Sequence, residues 1–280
     1  MRFVALNSVP HLQLVPPTDF RFVDRVDWLP LGETEFLLTA HFLPIAFRLD
    51  TAVPTVGALL DPAYQVRPLV SPEGKWLRGY QPIALRCLPF RLAKTRAINR
   101  LQSLEVSTDL GLTSSTNGVK IVEADGRISP GVAAIHAALT KMHDARGALA
   151  DAIDQFVLTD LLVPLPDKPA KDSPSGQTKF FVIDSDRFHK ANARAMAAMA
   201  RHSFLSLDLA TACLFSQRLL KGDFRPGTPA PEKVQSVPID AYAEVAAAGF
   251  NPNLALDDSS LFSTDDLGSL NVTEPLSTIP

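Results

Sequence analysis

The stretch that decides the fold is GKWLRGYQPIALRCLPFRL, residues 74–92. It brings the rings of Trp76, Tyr80 and Phe90 close together in a chain of which only 8% of the residues are aromatic. Aromatic side chains bury a large apolar area at low conformational cost, so this density indicates a structural centre. Arg86 is the charged member of this group and needs a separate explanation.

The prolines of this stretch predict its local structure. Pro82 suits the first turn of a helix, whereas Pro89 cannot continue one. We therefore expect a short helix within residues 80–88 and an extended segment from Phe90 onward.

The spacing Trp-x3-Tyr-x-Pro-x3-Arg-x2-Pro-Phe resembles the central motif of the SapC-like family, bacterial proteins linked by name to surface-layer assembly and secretion. Further stretches are similar to that family on both sides of the motif: Pro30-Leu31, Glu35-Phe36, Pro44–Phe47 and Phe180–Phe188. The resemblance covers roughly residues 22–225. It implies no settled enzymatic activity.

Two positions depart from the family pattern. Cys87 and Leu88 stand where the resemblance leads us to expect a basic residue and a tyrosine. A role that depends on that tyrosine is therefore not transferred to this chain.

Hydrophobic periodicity predicts an α+β protein with a sheet-rich N-terminal part. Short apolar or alternating segments at 43–49, 55–60 and 65–70 are separated by proline and aspartate, as is typical of antiparallel strands joined by turns. Ser129-Pro130 then predicts the start of one long amphipathic helix, which ends before Pro164. A smaller C-terminal part follows, with one strand and alanine-rich helices.

These patterns divide the chain into five parts. The expected parts are an N-terminal arm at 1–21, a sheet-rich part with the long helix at 22–164, a loop or hinge at 165–178, a strand with helices at 179–225, and a flexible acidic tail at 226–280. The tail carries eight acidic side chains and one lysine.

The charge distribution argues against a nucleic-acid binder. The net charge is -3, and residues 1–225 carry a small positive excess without a run of lysine or arginine. Nucleic-acid binders normally show a clustered basic surface. Two roles remain open for the tail, one as a partner-binding or export-related segment and the other as a segment that folds back onto the basic body.

Composition points to a cytoplasmic protein without a membrane span. Hydrophobic residues make up 46% of the chain, but no apolar run approaches the roughly 20 residues that span a bilayer. The N-terminus lacks the pattern of a secretory signal. The only cysteines, Cys87 and Cys213, form no CxxC motif and fit a reducing compartment.

No metal or cofactor is predicted. His136 and His143 are seven residues apart on the expected helix, too far for a metal pair separated by one turn. Asp184 and Asp186 are able to share one side of an extended segment, but one of them is expected to cap the next helix, with Asp186 the better candidate. GxSxG, Walker and GxGxxG motifs are absent.

The candidate binding residues are Glu35, Trp76, Tyr80, Arg86 and Phe90. Glu35 and Arg86 have two interpretations: a buried ion pair that stabilises the fold, or an Arg86 guanidinium offered to the carboxylate of a ligand or a peptide terminus. Trp76 and Tyr80 either flank a groove or belong to the core.

The function expected from the resemblance is that of a non-catalytic accessory protein, which binds another protein during maturation or export of surface-layer or envelope proteins. The competing hypothesis is an enzyme or small-molecule binder whose pocket is built around Arg86, Trp76 and Tyr80. The sequence leaves open whether the protein is an enzyme, what its oligomeric state is and which partner it binds.

Overall fold

The computed structural model describes residues 1–93, 101–166, 180–201 and 203–226. The chain divides into two units, residues 1–230 and 231–280, and every described residue belongs to the first. The predicted tail, apart from Pro226, and the predicted hinge, apart from Leu165 and Pro166, lie outside the described residues.

Eleven short strands and seven α-helices are found in the described residues. The strands are β1 (Phe3–Ala5), β2 (Gln13–Leu14), β3 (Trp28–Pro30), β4 (Ile45–Arg48), β5 (Thr55–Leu59), β6 (Phe90–Leu92), β7 (Leu104–Ser107), β8 (Thr113–Ser114), β9 (Val119–Lys120), β10 (Leu162–Pro164) and β11 (Phe181–Ile183). The helices are α1 (Phe36–Ala40), α2 (Ile83–Arg86), α3 (Pro130–Asp144), α4 (Arg146–Leu158), α5 (Ser185–His189), α6 (Ala193–Ala200) and α7 (Leu205–Ser216). The predicted α+β class is confirmed.

The central sheet has five antiparallel strands in the order β10-β11-β4-β5-β3. Strand β11, from the expected C-terminal part, pairs with β4 through Phe181 and Phe47. Helices α4 and α7 contact each other and this sheet, and the ring of Phe156 on α4 lies edge-on to Phe47 at 5.7 Å. The first hydrophobic cluster is built between these elements, and its buried members include Phe47, Val56, Leu59, Phe156, Val182 and Leu209.

A second hydrophobic cluster lies under the sheet β1-β7-β6, against which α3 packs. Its buried members are Leu6, Phe90, Leu104, Val106, Ile121 and Val132. Strands β1 and β2, both within residues 1–21, are paired in sheets, β1 with β7 and β2 with β8 and β9.

The predicted long helix is divided at Ala145 into α3 and α4. Its apolar residues pack into two different clusters: Val132 on α3 belongs to the second cluster and Ile153 on α4 to the first. One straight helix would present a single continuous apolar stripe, which would have to pack against both clusters at once. No helix among the described residues has the length and apolarity needed to cross a bilayer.

Two local predictions need correction. The segment 65–70 is not a strand but makes isolated bridges, Gln65 with Leu220 and Val70 with Trp76, because Pro68 interrupts the donors of a ladder. Asp184, not Asp186, caps α5: its carboxylate accepts hydrogen bonds from the backbone N–H groups of Asp186 and Arg187. Asp184 has the extended backbone that a capping residue requires.

Candidate functional site

Glu35 is the buried polar centre of the family-like motifs identified in the sequence. Its side chain is only 2% exposed and sits immediately before α1. Oε1 accepts the backbone N–H of Gly32 at 3.0 Å, and Oε2 accepts the hydroxyl of Tyr80 and the backbone N–H of Ile83, each at 2.8 Å. Because Ile83 is the first residue of α2, the carboxylate joins the start of that helix to the loop before α1.

Tyr80 is a donor in this arrangement. Burial, followed by the hydrogen bond to Glu35 and the negative charge of that carboxylate, raises the pKa of Tyr80 to about 12. The nearby Arg86 acts in the opposite direction on this pKa, but more weakly. The phenol therefore remains protonated at neutral pH and is unsuited to act as a general base.

Trp76 fixes the other end of the same segment. Its indole Nε1–H donates to the backbone oxygen of Tyr80 at 3.0 Å, and its half-buried ring lies 6.2 Å from that of Phe20. The backbone N–H of Phe20 in turn donates to the oxygen of Gly74 at 2.8 Å. Trp76 thus packs against the first cluster and holds residues 74–80 in place.

Arg86 does not form the buried ion pair with Glu35 that we considered, although both residues are described. It lies at the end of α2 with an exposed side chain, while the Glu35 carboxylate is satisfied by neutral donors. Burying the guanidinium would cost more than an exposed position does. The second interpretation, a guanidinium offered to a carboxylate, remains a prediction.

Phe90 lies apart from the other four candidates. Its ring is 2% exposed and belongs to the second hydrophobic cluster, whereas Glu35 and Tyr80 hold together elements around the first. Residues 74–92 pass from one cluster to the other, with Leu85 in the first and Phe90 in the second. Phe90 is therefore a core residue and does not line the groove described next.

An open groove of about 480 Å³ borders the segment between Trp76 and Tyr80. Four separate segments supply its lining residues, which are His41, Phe42, Val66, Arg67, Leu77, Arg78, Gly79, Arg218 and Leu219. We call this site the arginine groove. Gly79 is required where the wall is tight, because a Cβ at this position would stand 2.8 Å from the ring of Phe42.

The arginine groove is positively charged. Arg67, Arg78 and Arg218 line it, and no acidic side chain lines it among the residues that the structure describes. The guanidinium of Arg78 donates to the backbone oxygen of Arg67 at 2.7 Å. Burial, and to a lesser extent the like charge of Arg67, lower the pKa of Arg78 below its ordinary value.

Arg218 is held at the other side of the groove. Its guanidinium lies 3.5 Å over the ring of Phe215 and donates to the backbone oxygens of Phe215 and His41 at 2.9 and 3.3 Å. The ring of His41 lies edge-on to Phe215 at 4.9 Å. The Arg218 guanidinium is thus positioned by two backbone oxygens and an aromatic ring, and no acidic side chain among the described residues forms an ion pair with it.

The groove is not evident in the sequence because its walls come from distant parts of the chain. The one signal in the sequence is the segment Leu77-Arg78-Gly79, which places a charged residue and a glycine between Trp76 and Tyr80. The three arginines are separated in sequence, so no basic run announces them.

The described residues contain no group of three or more His, Cys, Asp and Glu side chains placed to hold a metal ion. His136 makes a 2.7 Å hydrogen bond with the Ser103 hydroxyl, and Asp184 is engaged as a helix cap. The thiols of Cys87 and Cys213 are buried, and burial raises their pKa values to about 11 and about 12. Neither thiol is activated as a nucleophile.

The family model described as SapC matches residues 6–222, well over half of the chain. No curated protein and no solved structure matches the chain.

Proposed function

The chain belongs to the SapC family, and on this premise we propose that it is a non-catalytic accessory protein that binds another protein during surface-layer or envelope protein maturation or export. We place this role in the cytoplasm, before the client protein leaves the cell. Binding is assigned to the arginine groove and to Arg86, the exposed arginine at the end of α2.

The observation that carries the proposal is the surface at the arginine groove. Val66 and Leu77 line it with side chains 50% and 48% exposed, and Phe215 beneath Arg218 is 44% exposed. Apolar side chains that remain in solvent beside fixed charges are characteristic of protein-binding surfaces.

The polar residues of the family-like motif support a binding role over a catalytic one. Glu35 is almost inaccessible and already accepts three hydrogen bonds, so a substrate proton has little access to it. Burial and the Glu35 carboxylate raise the pKa of Tyr80 to about 12, so its phenol is protonated at neutral pH. These groups stabilise the segment that presents Leu77 and Arg78, which is a structural contribution to a binding site.

A gene deletion in the native host tests the proposal. We expect less envelope or surface-layer protein in the outermost cell fraction, with the retained protein unchanged in covalent mass, and recovery when the full-length chain is supplied. Fractionation followed by intact-protein mass spectrometry makes the measurement. Normal envelope fractions in the deletion strain would contradict the proposal, and a retained protein lacking a covalent change would indicate an enzyme instead.

A second candidate is a binder of a small anionic molecule. The volume of about 480 Å³ falls within the range of roughly 300–1,000 Å³ that is usual for ligand pockets. Isothermal titration with small mono-, di- and tricarboxylates distinguishes the two: micromolar binding of one such compound, lost in Arg67→Gln, favours the small-molecule role.

A further inference from the structure

We infer that the arginine groove takes a partner-protein segment in which carboxylate side chains alternate with apolar ones. The inference rests on the proposed function, because it specifies the chemistry of the partner at the same site. Three properties of the groove lead to it, namely its charge, the way its arginines are held, and its exposed apolar walls.

Charge comes first. Three guanidinium groups line one groove, and within the described part of the chain no acidic side chain lines it. Arg67 is close enough to Arg78 for its charge to disfavour the protonated form of Arg78. A carboxylate between them would relieve this repulsion and accept charge-assisted hydrogen bonds.

The arginines are also held in position before a ligand arrives. Arg78 donates one hydrogen bond to the oxygen of Arg67, and Arg218 donates to two backbone oxygens while stacked on Phe215. A guanidinium has five N–H donors, so each retains donors for a carboxylate. Little side-chain entropy is then lost on binding, because these two side chains are already ordered.

The apolar walls favour a peptide over a nucleic acid. Val66 and Leu77 are aliphatic and about half exposed, and neither offers a nucleobase a stacking face. Of the aromatic residues that line the groove, Phe42 packs against the first hydrophobic cluster and the ring of His41 lies edge-on to Phe215. Val66 and Leu77 do match leucine, valine or phenylalanine side chains of a peptide. Leu38, also half exposed, precedes His41 by one helical turn, a spacing that places the two residues on the same side of α1.

Fluorescence anisotropy with a synthetic peptide tests the inference on the full-length chain. The probe is a short fluorescein-labelled peptide in which aspartate and glutamate alternate with leucine and phenylalanine. Its matched controls carry asparagine and glutamine for the acids, or serine for the apolar residues. A uridine oligonucleotide of the same length tests for nucleic acid.

We expect the acidic, apolar peptide to bind most tightly, and Arg67→Gln and Arg218→Gln to weaken it about tenfold each, as the loss of a charge-assisted hydrogen bond implies. Arg127→Gln is the matched control, because this arginine is 87% exposed and lies outside the groove. Arg67→Lys keeps the positive charge and should retain part of the affinity. Circular dichroism melting verifies that each variant is folded.

Three outcomes would each overturn the inference. They are equal peptide binding by Arg67→Gln and the unaltered chain, equal binding of the acidic and the neutral peptide, and tighter binding of the oligonucleotide than of the acidic peptide. Its failure is distinguishable from that of the proposed function. Loss of envelope protein in the deletion strain, together with a groove indifferent to the peptide, refutes only the inference. Arginine-dependent peptide binding together with a normal envelope refutes only the function.

Discussion

The Glu35 carboxylate joins two segments that are far apart in sequence. It accepts hydrogen bonds from Gly32 on its own loop, and from Tyr80 and Ile83 of the 74–92 stretch. A buried carboxylate needs such donors to offset its lost hydration. Its position explains how a glutamate before α1 and a tyrosine before α2, from two separate family-like stretches, come together in the fold.

Replacing Tyr80 by phenylalanine should lower the free energy of unfolding by about 1–3 kcal/mol, because the buried carboxylate loses a donor that water does not replace. Urea unfolding measures this change. Glu35→Gln should cost a similar amount, and the double variant should cost less than the sum of the two by about 1 kcal/mol. Strictly additive losses would contradict a direct interaction between the two side chains.

High pH should act on the same tyrosine. The pKa of Tyr80 in the folded chain, about 12, lies above its ordinary value of 10.0, so folding favours the protonated phenol. Its contribution to stability is fully present below pH 10 and declines as the pH rises toward 12. Urea midpoints measured across this window should converge for the unaltered chain and Tyr80→Phe. A constant difference between them would show that Tyr80 titrates normally.

At the scale of elements, the turn before Trp76 sets the position of the groove wall. Gly74 has a φ of +83°, and its N–H donates to the oxygen of Ser71. A Cβ on Gly74 would overlap the carboxylate of Asp19, which is itself hydrogen-bonded to the backbone N–H of Arg21. Conformation and close approach both require glycine at this position.

We predict that Gly74→Ala destabilises the chain by about 2–4 kcal/mol, since strain in the left-handed region and steric overlap act together. Gly126→Ala is the matched control. Gly126 has a φ of +80° with nothing within 4 Å of its added Cβ, so only the conformational cost of about 1 kcal/mol applies. Thermal melting of both variants makes the comparison.

The contribution of the steric overlap with Asp19 to the destabilisation by Gly74→Ala can be measured separately. In an Asp19→Ala background the added cost of Gly74→Ala should fall to that of Gly126→Ala. If the two glycine variants are equally destabilised from the start, the overlap with Asp19 has no energetic effect.

At the scale of the whole molecule, two hydrophobic clusters are connected by residues 74–92 and by the junction of α3 with α4. The N-terminal segment completes the second cluster through the fully buried Leu6. Both tryptophans, Trp28 and Trp76, pack against the first cluster. Tryptophan fluorescence therefore reports on one cluster only.

Leu6→Ala should lower the free energy of unfolding by about 2–5 kcal/mol, the usual cost of a cavity at a fully buried leucine. Because the clusters are covalently and sterically connected, we expect the tryptophan fluorescence transition to shift with the circular dichroism transition. Val119→Ala, at an exposed site, should leave both unchanged. A shift in circular dichroism alone would mean that the second cluster unfolds independently.

The sequence alone determined the α+β class, the short helix after Pro82 and the family, since each depends on local periodicity, proline geometry or motif spacing. The family model extends to residue 6 and so into the segment that we predicted to be an arm. That segment is short and aperiodic, and its pairing with β7 depends on a partner about one hundred residues away.

Only the tertiary structure decided the roles of the candidate residues. Arg86 was exposed and not paired with Glu35, and Phe90 was assigned to a different cluster, because burial depends on contacts from distant segments. The arginine groove arises in the same way. Arg67, Arg78 and Arg218 have no periodic relation in sequence, and it is the packing of the turn after α7 against residues 66–79 that brings their charges together.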